Sequence, residues 1–219
     1  MGKSADHKLR KEIIATCRGM NASGINQGTS GNVSARWKDG LLITPSGLPY
    51  DQMEVEDIVF MHIDGTYEHE LVPSSEWRFH RDIMAARPDV EAIVHAHPTY
   101  CTAFAMCGKE IPAAHYMIAA AGGPTVRCGA YATYGTEELS KAALAALEGR
   151  TCCLLQNHGM IATGSSLSKA LWLAVELETL CRQYAIALTV GKPKILPDDE
   201  IARVIEKFKS YGPRPKTGA

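Results

Sequence analysis

An excess of charge of one sign and long apolar runs are both missing from this sequence. Its 23 basic and 24 acidic residues leave a formal net charge of -1, so no basic surface argues for nucleic acid or an anionic membrane. No apolar run approaches the ~18 residues that a membrane-spanning helix needs. The charged start, MGKSADHKLRKEII, also lacks the apolar core of a secretory signal. We therefore expect a cytoplasmic protein that binds neither nucleic acid nor membranes.

Paired cysteines and the common nucleotide-binding motifs are missing as well. The seven cysteines are odd in number, scattered and never spaced C-x-x-C, which favours reduced thiols that mostly fill the core. The sequence has no G-x-G-x-x-G and no G-x-S-x-G motif, and the fragment Gly2-Lys3-Ser4 lacks the strand and first glycine of a P-loop. These absences argue against a disulfide scaffold and against phosphate binding of the P-loop type.

What remains has the composition of one globular domain over residues 1–219, with a tail at 212–219 that we expect to be flexible. Helical periodicity covers residues 8–22, 135–146, 168–190 and 198–209, and another helix begins at Pro73-Ser74-Ser75 and ends at Arg87-Pro88. Strands are predicted at 58–63, 92–97 and 151–156, with a further loop and strand in GINQGTSGNVSARW and a hairpin turn at Asp39-Gly40. Helices that alternate with short strands predict an α/β sandwich with a central mixed or antiparallel sheet.

Two histidines stand one residue apart in the apolar run A-I-V-H-A-H-P, which we interpret as a strand. Side chains at i and i+2 of a strand point to the same face, so His95 and His97 project together and can share one cation. Histidine is often simply buried with hydrogen-bond partners, so the pair alone is a weak indication of a metal site.

Two further residues strengthen the case for a metal. His158 follows the apolar run TCCLLQ and precedes a glycine, in a turn of the kind where sites are usually built. Glu76 falls in the first turn of its helix, where a carboxylate can also compensate the helix dipole by ~0.3–1 kcal/mol without any metal. His80 lies at i+4 from Glu76, so these two form a rival metal pair. We rank this rival lower because it leaves the V-H-A-H pair unexplained.

Three short loops could bind an anion: GTSGN (28–32), TPSG (44–47) and PSSE (73–76). Each offers small hydroxyls, amides and backbone N–H groups, and the last precedes a helix. Any one of them is more commonly a simple turn. Their presence together with a metal set indicates a phosphorylated substrate.

Seven motifs follow one another along the chain: GTSGNVSAR, LLITPSG, PSSEWRFH, VHAH, HYMIAAAGG, YATYGT and NHG. In this order, over about residues 9–211, they resemble the class II aldolase/epimerase family, and most closely its branch that cleaves L-fuculose 1-phosphate. Each motif is short, but the combination is highly specific. The resemblance implies an α/β/α sandwich with a central mixed, largely antiparallel sheet. It also implies a zinc-dependent homotetramer with active sites at subunit interfaces, in which Mn²⁺ or Co²⁺ can replace zinc.

The resemblance assigns roles to residues of this chain. His95, His97 and His158 match the metal-binding histidines, and Glu76 matches a glutamate that binds the free metal and acts as the acid/base. The phosphate-binding positions fall on Thr29, Asn32, Ser46, Gly47, Ser74 and Ser75. Ser46 is a departure, because close relatives have threonine there, but the hydroxyl is kept.

Two tyrosines complete the implied site. Tyr116, in HYMIAAAGG, matches the tyrosine that one subunit offers to its neighbour's site, and Tyr211, in KSYG, resembles the second. A phenol hydroxyl can deliver or take the proton on the aldehyde oxygen.

The implied reaction suits these residue types. Cleavage of a ketose 1-phosphate into dihydroxyacetone phosphate and an aldehyde leaves negative charge beside a carbonyl, which a divalent cation can spread. Three neutral imidazoles keep the full charge of the cation on the site, and a nearby carboxylate can move the proton. Lactaldehyde, acetaldehyde or methylthio-acetaldehyde remain open as the second product, corresponding to L-fuculose, 5-deoxyribulose or 5-methylthioribulose 1-phosphate.

Other functions within the resemblance are weaker. Sugar-phosphate 4-epimerase relatives have aspartate at the position of Glu76, so the glutamate favours an aldolase. A dehydratase that acts on methylthioribulose 1-phosphate uses a similar metal set and is the enzymatic alternative. An adducin-like scaffold that has lost catalysis would have a broken ligand set, whereas all four positions are present here.

Overall fold

The computed structural model describes residues 3–210 of the 219-residue chain. Tyr211 and the tail 212–219, both subjects of predictions above, lie outside the described residues. Within the described part, no helix is both long and apolar enough to cross a membrane.

A seven-stranded sheet forms the centre of the molecule. Its strands are β1 (Asn32–Trp37), β2 (Gly40–Ile43), β3 (Val59–His62), β4 (Ala92–Ala96), β7 (Cys128–Gly129), β8 (Cys152–Leu155) and β9 (Gly159–Gly164). They lie in the order β3-β2-β1-β4-β9-β8-β7, and only the β7–β8 pair is parallel. The strands β5 (Ile111–Pro112) and β6 (Thr125–Val126) form a separate antiparallel pair. The predicted mixed, largely antiparallel sheet is therefore confirmed.

Helices cover both faces of this sheet. They are α1 (Lys3–Ala22), α2 (Trp77–Ala86), α3 (Thr99–Met106), α4 (Glu137–Ala146), α5 (Leu167–Val190) and α6 (Asp198–Phe208), with short 3-10 helices at Val55–Asp57 and Tyr116–Ala121. One apolar cluster joins one face of the sheet to α1, α3, α5 and α6, and a second joins the other face to α2 and α4. This is the α/β/α sandwich that the sequence resemblance implies.

Strand β4 shows why the central strands are apolar along their whole length. Val94 belongs to the first cluster and Ile93 to the second, because successive side chains alternate between two covered faces. His95 is the next residue on the face of Ile93, so its ring points towards α2. The alternation thus sets the side of the sheet on which the histidine pair lies.

The first hairpin differs from the sequence prediction by one residue. Trp37 pairs with Gly40, so the two-residue turn is Lys38-Asp39, with Lys38 at φ 51°, rather than Asp39-Gly40. A Cβ atom on Gly40 would lie 2.1 Å from the carbonyl oxygen of Met61. The glycine is therefore needed for the close approach of β3, not for the turn itself.

The other elements follow the predicted periodicity with shifted ends. The first helix begins at Lys3 instead of residue 8, and α2 begins after Glu76 instead of at the serines. Two elements, α3 and β9, are not predicted by the sequence pattern. Both are short, and α3 (TYCTAFAM) has little of the polar face that reveals a helix in sequence. All seven cysteines are free and five are buried, which confirms that they mostly fill the core.

Candidate metal centre and active site

His95 and His97 meet at the end of β4, as their i, i+2 spacing predicts. His95 is the fourth residue of the strand and fully buried, and His97 follows the last strand residue. Their ring centroids are 4.8 Å apart, and their Nε2 atoms are separated by 2.9 Å. The two rings therefore direct the same nitrogen to one point.

His158 reaches this point from the turn between β8 and β9. The turn contains Asn157 at φ 54° and is closed by a hydrogen bond from the His158 N–H to the carbonyl of Leu155. Because β9 pairs with β4, the turn places the His158 ring 4.8 Å from that of His95. Gly159 makes room, since a Cβ atom there would lie 2.5 Å from the ring of His97.

Glu76 supplies the fourth group, but not from the position that the sequence predicts. The residue is the N-cap of α2, and its carboxylate makes no capping hydrogen bond. Oε2 instead lies 3.0 Å from Nε2 of His95, and Oε1 lies 3.1 Å from Nε2 of His158. The residue is 4% exposed. Glu76 therefore lies one residue before the predicted first turn, and its carboxylate faces the histidines.

One ligand atom from each of these four residues lies within 4.8 Å of all the others. We call Glu76, His95, His97 and His158 the metal cluster. Nδ1 of His95 is 2.8 Å from the carbonyl oxygen of Met160, a contact that requires the proton on Nδ1 and leaves a lone pair on Nε2.

The donor set fits a divalent cation. The lone pair on Nε2 of His95 faces a carboxylate oxygen at 3.0 Å and a second imidazole nitrogen at 2.9 Å, and such lone pairs repel unless a cation or proton lies between them. Oε1 of Glu76 is buried and has no hydrogen-bond donor among residues 3–210; its contact with His158 is close but lacks hydrogen-bond geometry. Imidazole nitrogens with one carboxylate oxygen are ligands that zinc and similar metals accept.

Burial and neighbouring charge keep Glu76 and His97 in their metal-binding forms. Burial raises the pKa of Glu76, but His95 and His158 outweigh it and hold the pKa of the carboxyl well below its usual range. Burial, followed by the charges of His95 and His158, lowers the pKa of His97 to about 3. A carboxylate and a neutral imidazole are the forms that ligate metals.

His80 does not join the metal cluster. Its ring is fully buried, with Nδ1 2.7 Å from Oγ of Ser34 and Nε2 2.6 Å from Oδ1 of Asn32. Both nitrogens are thus engaged elsewhere, and the rival Glu76/His80 metal pair is wrong. The link between Ser34 and His80 was not predicted, although the spacing of Asn32 and Ser34 along β1 indicates that they share a face.

The two serine-containing loops beside the metal cluster lie together. The segment 44–47 pairs with 72–75 through a bridge between Pro45 and Pro73 and through hydrogen bonds from Ser46 N to Val72 O and from Ser74 N to Thr44 O. We call these segments the paired loops. Gly47 has φ 71°, in the region that favours glycine, and the second loop runs directly into Glu76.

The six predicted phosphate positions differ in accessibility. Thr29, Ser46, Gly47 and Ser75 are exposed. Ser74 is buried, and its hydroxyl accepts a hydrogen bond from the backbone N–H of Glu76. Asn32 is 5% exposed and donates from Nδ2 to Oε2 of Glu76 at 3.0 Å. Asn32 therefore contacts the metal cluster directly, a contact that the sequence does not predict.

The predicted tyrosines lie away from this cluster or outside the described residues. Tyr116 begins a 3-10 helix that packs against α5, α6 and β6, and it is 49% exposed. Tyr134 is 65% exposed in the segment next to Gly135, whose Cβ position would lie 2.7 Å from the carbonyl oxygen of Ser75. A tyrosine-bearing loop therefore borders the end of the paired loops.

The comparisons with known proteins agree with this geometry. The family described as Class II Aldolase and Adducin N-terminal domain matches residues 11–185. A Rhodospirillum rubrum protein named 5-methylthioribulose-1-phosphate/5-deoxyribulose-1-phosphate aldolase is 55% identical over 204 residues, which cover 93% of this chain and 92% of the relative. The chain belongs to the class II aldolase family.

Other members of the family are similarly close. The L-fuculose phosphate aldolase of Escherichia coli K12 is 51% identical over 209 residues, which cover 95% of this chain and 97% of that protein. A solved structure named L-fuculose 1-phosphate aldolase has a TM-score of 0.91 and 40% identity, and the match covers 95% of this chain and 98% of that one. The predicted family and fold are confirmed.

Proposed function

We propose that this class II aldolase binds one divalent cation in the metal cluster and reversibly cleaves a ketose 1-phosphate into dihydroxyacetone phosphate and an aldehyde. The convergence of three imidazole nitrogens and one carboxylate oxygen within 4.8 Å carries the proposal. The names of the relatives support it, because they specify aldolases for L-fuculose phosphate and for 5-methylthioribulose and 5-deoxyribulose 1-phosphates.

The reaction needs a sink for electrons and a group that moves a proton. When bound, the cation supplies the sink for the negative charge that develops beside the ketose carbonyl. His95, His97 and His158 hold it as neutral ligands, and the contact with Met160 orients the first of them. In the condensation direction the Glu76 carboxylate removes a proton from the carbon of dihydroxyacetone phosphate that attacks the aldehyde. In cleavage the same carboxyl group returns that proton to the carbon that keeps the electron pair, while the hydroxyl that becomes the aldehyde oxygen gives up one proton, so the step balances. Oε1 of Glu76 suits this role because it lacks a hydrogen-bond donor among the described residues.

The phosphate of the substrate binds the paired loops. Ser46, Gly47 and Ser75 present hydroxyl and backbone groups at the surface, beside Ser74 and within one residue of the acid/base. Thr29 and Asn32 extend this set from the start of β1. A phosphate held there fixes the donor half of the substrate over the metal cluster, and such fixed orientation increases the rate.

Assembly into a homotetramer would complete the site. We propose that Tyr116 of one subunit reaches the neighbouring subunit's site, where a phenol hydroxyl exchanges the proton of the aldehyde oxygen, and that Tyr211 is a second catalytic tyrosine. The exposure of Tyr116 on a 3-10 helix supports this placement. Mixed tetramers of the Glu76→Gln and Tyr116→Phe variants should recover activity, because some sites then combine two intact residues. Mixtures with no recovery would refute a shared site.

Zinc is the metal we propose, with the chain acting as one domain in the cytoplasm. The histidine-rich donor set supports zinc, and the seven free cysteines support a reducing compartment. Elemental analysis of the purified protein should find about one zinc per chain, because each chain contains one metal cluster.

A substrate panel tests the reaction. Purified protein with zinc is offered dihydroxyacetone phosphate with lactaldehyde, acetaldehyde or methylthio-acetaldehyde, and kcat/KM is measured for each condensation. We expect condensation with at least one aldehyde, and condensation slower by about 100-fold or more with the Glu76→Gln control. Absence of condensation with every aldehyde would overturn the proposed reaction.

A further inference from the structure

Four buried polar side chains form one continuous chain of contacts behind the metal cluster. Oγ of Ser34 lies 2.7 Å from Nδ1 of His80, Nε2 of His80 lies 2.6 Å from Oδ1 of Asn32, and Nδ2 of Asn32 lies 3.0 Å from Oε2 of Glu76. The four residues are between 0% and 5% exposed. Buried polar groups need partners, and here each contact satisfies two of them. We call this chain the polar relay.

The relay is built by interleaving two elements. Asn32 and Ser34 are spaced i, i+2 on β1, and Glu76, the N-cap of α2, and His80, within α2, are spaced i, i+4. Each spacing places its pair on one face, so the four side chains alternate between strand and helix. The ring of His80 also stacks on Phe79, whose own ring meets the edge of His95. Packing therefore fixes the ring that stands in the middle of the relay.

The donors of the relay all point in one direction. An ionised Glu76 can only accept, so Asn32 must turn its NH₂ group towards the carboxylate and its carbonyl oxygen towards His80. That oxygen needs a donor, which places the proton of neutral His80 on Nε2. Nδ1 of His80 is then an acceptor, and the hydroxyl of Ser34 donates to it. Every group has one consistent role.

We propose that His80 is a positioning residue: its Nε2–H holds the amide of Asn32 in the orientation that donates to Glu76 and so fixes the carboxylate in the metal cluster. This inference rests on the proposed function for its effect on turnover, but not for its effect on metal binding. Without the donor, the buried carbonyl oxygen of Asn32 has no partner, and the amide can shift away from its place to find one. Its hydrogen bond to the carboxylate is then weakened, and Glu76 loses its fixed position.

Two substitutions of His80 separate positioning from packing. In His80→Gln the longer amide places an NH₂ donor near the original Nε2, whereas in His80→Asn the shorter amide reaches only the region of Nδ1. We expect His80→Asn to weaken Zn²⁺ binding and to lower kcat by about 10-fold or more, the usual range for residues that orient metal ligands. His80→Gln should stay within about threefold of the wild type in both measurements, because it keeps the donor.

A purely structural role predicts a different pattern. The Tm values of His80→Gln and His80→Asn would then fall by similar amounts, and the two variants would have equal Zn²⁺ dissociation constants and equal kcat values within error. That result would overturn the proposal. Ser34→Ala provides a milder perturbation, because it removes only the hydroxyl that donates to Nδ1 of His80 and so selects the tautomer. Its Zn²⁺ affinity and kcat should lie between those of the wild type and those of His80→Asn.

The tautomer itself can be measured without any variant. Long-range ¹H–¹⁵N NMR of the metal-free wild-type protein should show neutral His80 with its proton on Nε2, and a proton on Nδ1 would refute the relay even if His80→Asn failed to fold. Zn²⁺ affinity and the tautomer do not depend on the substrate. If no aldehyde condensed, but the Zn²⁺ affinities of the His80 variants and the tautomer of His80 were as expected, the proposed reaction would be rejected and the polar relay would stand.

Discussion

The metal cluster and the paired loops meet at Glu76, which directly follows the second loop, but they are built in opposite ways. The cluster uses buried and half-buried side chains on a strand, a turn and a helix cap, and Glu76 and His95 are only 4% and 0% exposed. The paired loops use backbone groups and short hydroxyls, and Ser46 and Ser75 lie at the surface. One region is fixed by packing and the other by a short backbone pairing.

This difference indicates a division of labour. Side chains that converge in a buried space can hold a cation and move a proton, and each is hard to replace. Exposed hydroxyls share the binding of an anion among several partners, so the loss of one is partly compensated. Substitutions in the cluster should therefore act on metal content and kcat, and substitutions in the paired loops should act on KM.

The largest effect is expected from removing a histidine of the cluster. His158→Ala should reduce bound zinc well below one per chain and lower kcat/KM by about 1,000-fold or more, because one ligand and the orientation of Glu76 are lost together. Elemental analysis and condensation assays measure the two quantities. His62→Ala is the matched control, since His62 lies at the surface and outside the cluster. Unchanged zinc in His158→Ala would contradict the ligand set.

A smaller effect should come from Glu76→Gln, which keeps the shape of the side chain but removes its charge and basicity. The three histidines remain, so zinc should still bind, while kcat falls by about 100-fold or more through loss of the proton-transfer group. Full turnover in this variant would remove the acid/base role and leave Glu76 as a ligand only. The contrast with His158→Ala then separates metal binding from proton transfer within one cluster.

The sequence predicts which side chains form the cluster better than it predicts where each of them lies in the secondary and tertiary structure. The i, i+2 spacing places His95 and His97 on one face without any knowledge of the fold. The turn context of His158 makes it a candidate ligand, but its meeting with the pair depends on the pairing of β9 with β4, a contact between distant segments that no local pattern gives. The sequence predicts Glu76 inside a helix, whereas the helix begins after it.

The paired loops and the polar relay are harder to predict for the same reason. The bridge between Pro45 and Pro73 and the contact from Ser34 to His80 join residues far apart in the chain, and no local pattern encodes them. Gly40 is an example: the sequence predicts it as part of a turn, whereas in the structure its lack of a side chain allows the close approach of β3. Local signals give faces and turns, but contacts between elements decide what each residue does.

The paired loops and the polar relay behind the metal cluster should also differ in their response to acid. The paired loops, TPSG and VPSS, carry no titratable side chain, whereas burial, with the charge of His95, lowers the pKa of His80 to about 3. The unfolded chain, with a histidine pKa of about 6.5, then binds a proton that the folded chain does not. The free energy of unfolding should therefore fall as the pH drops from about 6.5 towards 3, by about 1.4 kcal/mol per pH unit for this group.

Urea unfolding of the metal-free protein at several pH values tests this expectation. His80→Gln removes the titrating ring, so its free energy of unfolding should fall less steeply with acid than that of the wild type. His7→Gln, at an exposed histidine of α1, serves as the control and should keep the wild-type slope. Equal slopes for wild type and His80→Gln would mean that the buried ring is protonated in the folded protein.

The smallest effect is expected in the paired loops. Ser75→Ala should raise KM for the phosphorylated substrate by about fivefold, the loss of one hydrogen bond of ~1 kcal/mol, and should leave kcat and zinc content nearly unchanged. Ser75 is exposed, so removing its hydroxyl leaves no buried group without a partner. Ser168→Ala is the control, because Ser168 is also exposed but follows the end of β9 that is distant from His158. This variant should change neither KM nor kcat. If Ser75→Ala lowered kcat as strongly as Glu76→Gln, the loops would contribute to the chemistry itself, and the division between a catalytic cluster and a binding loop would fail.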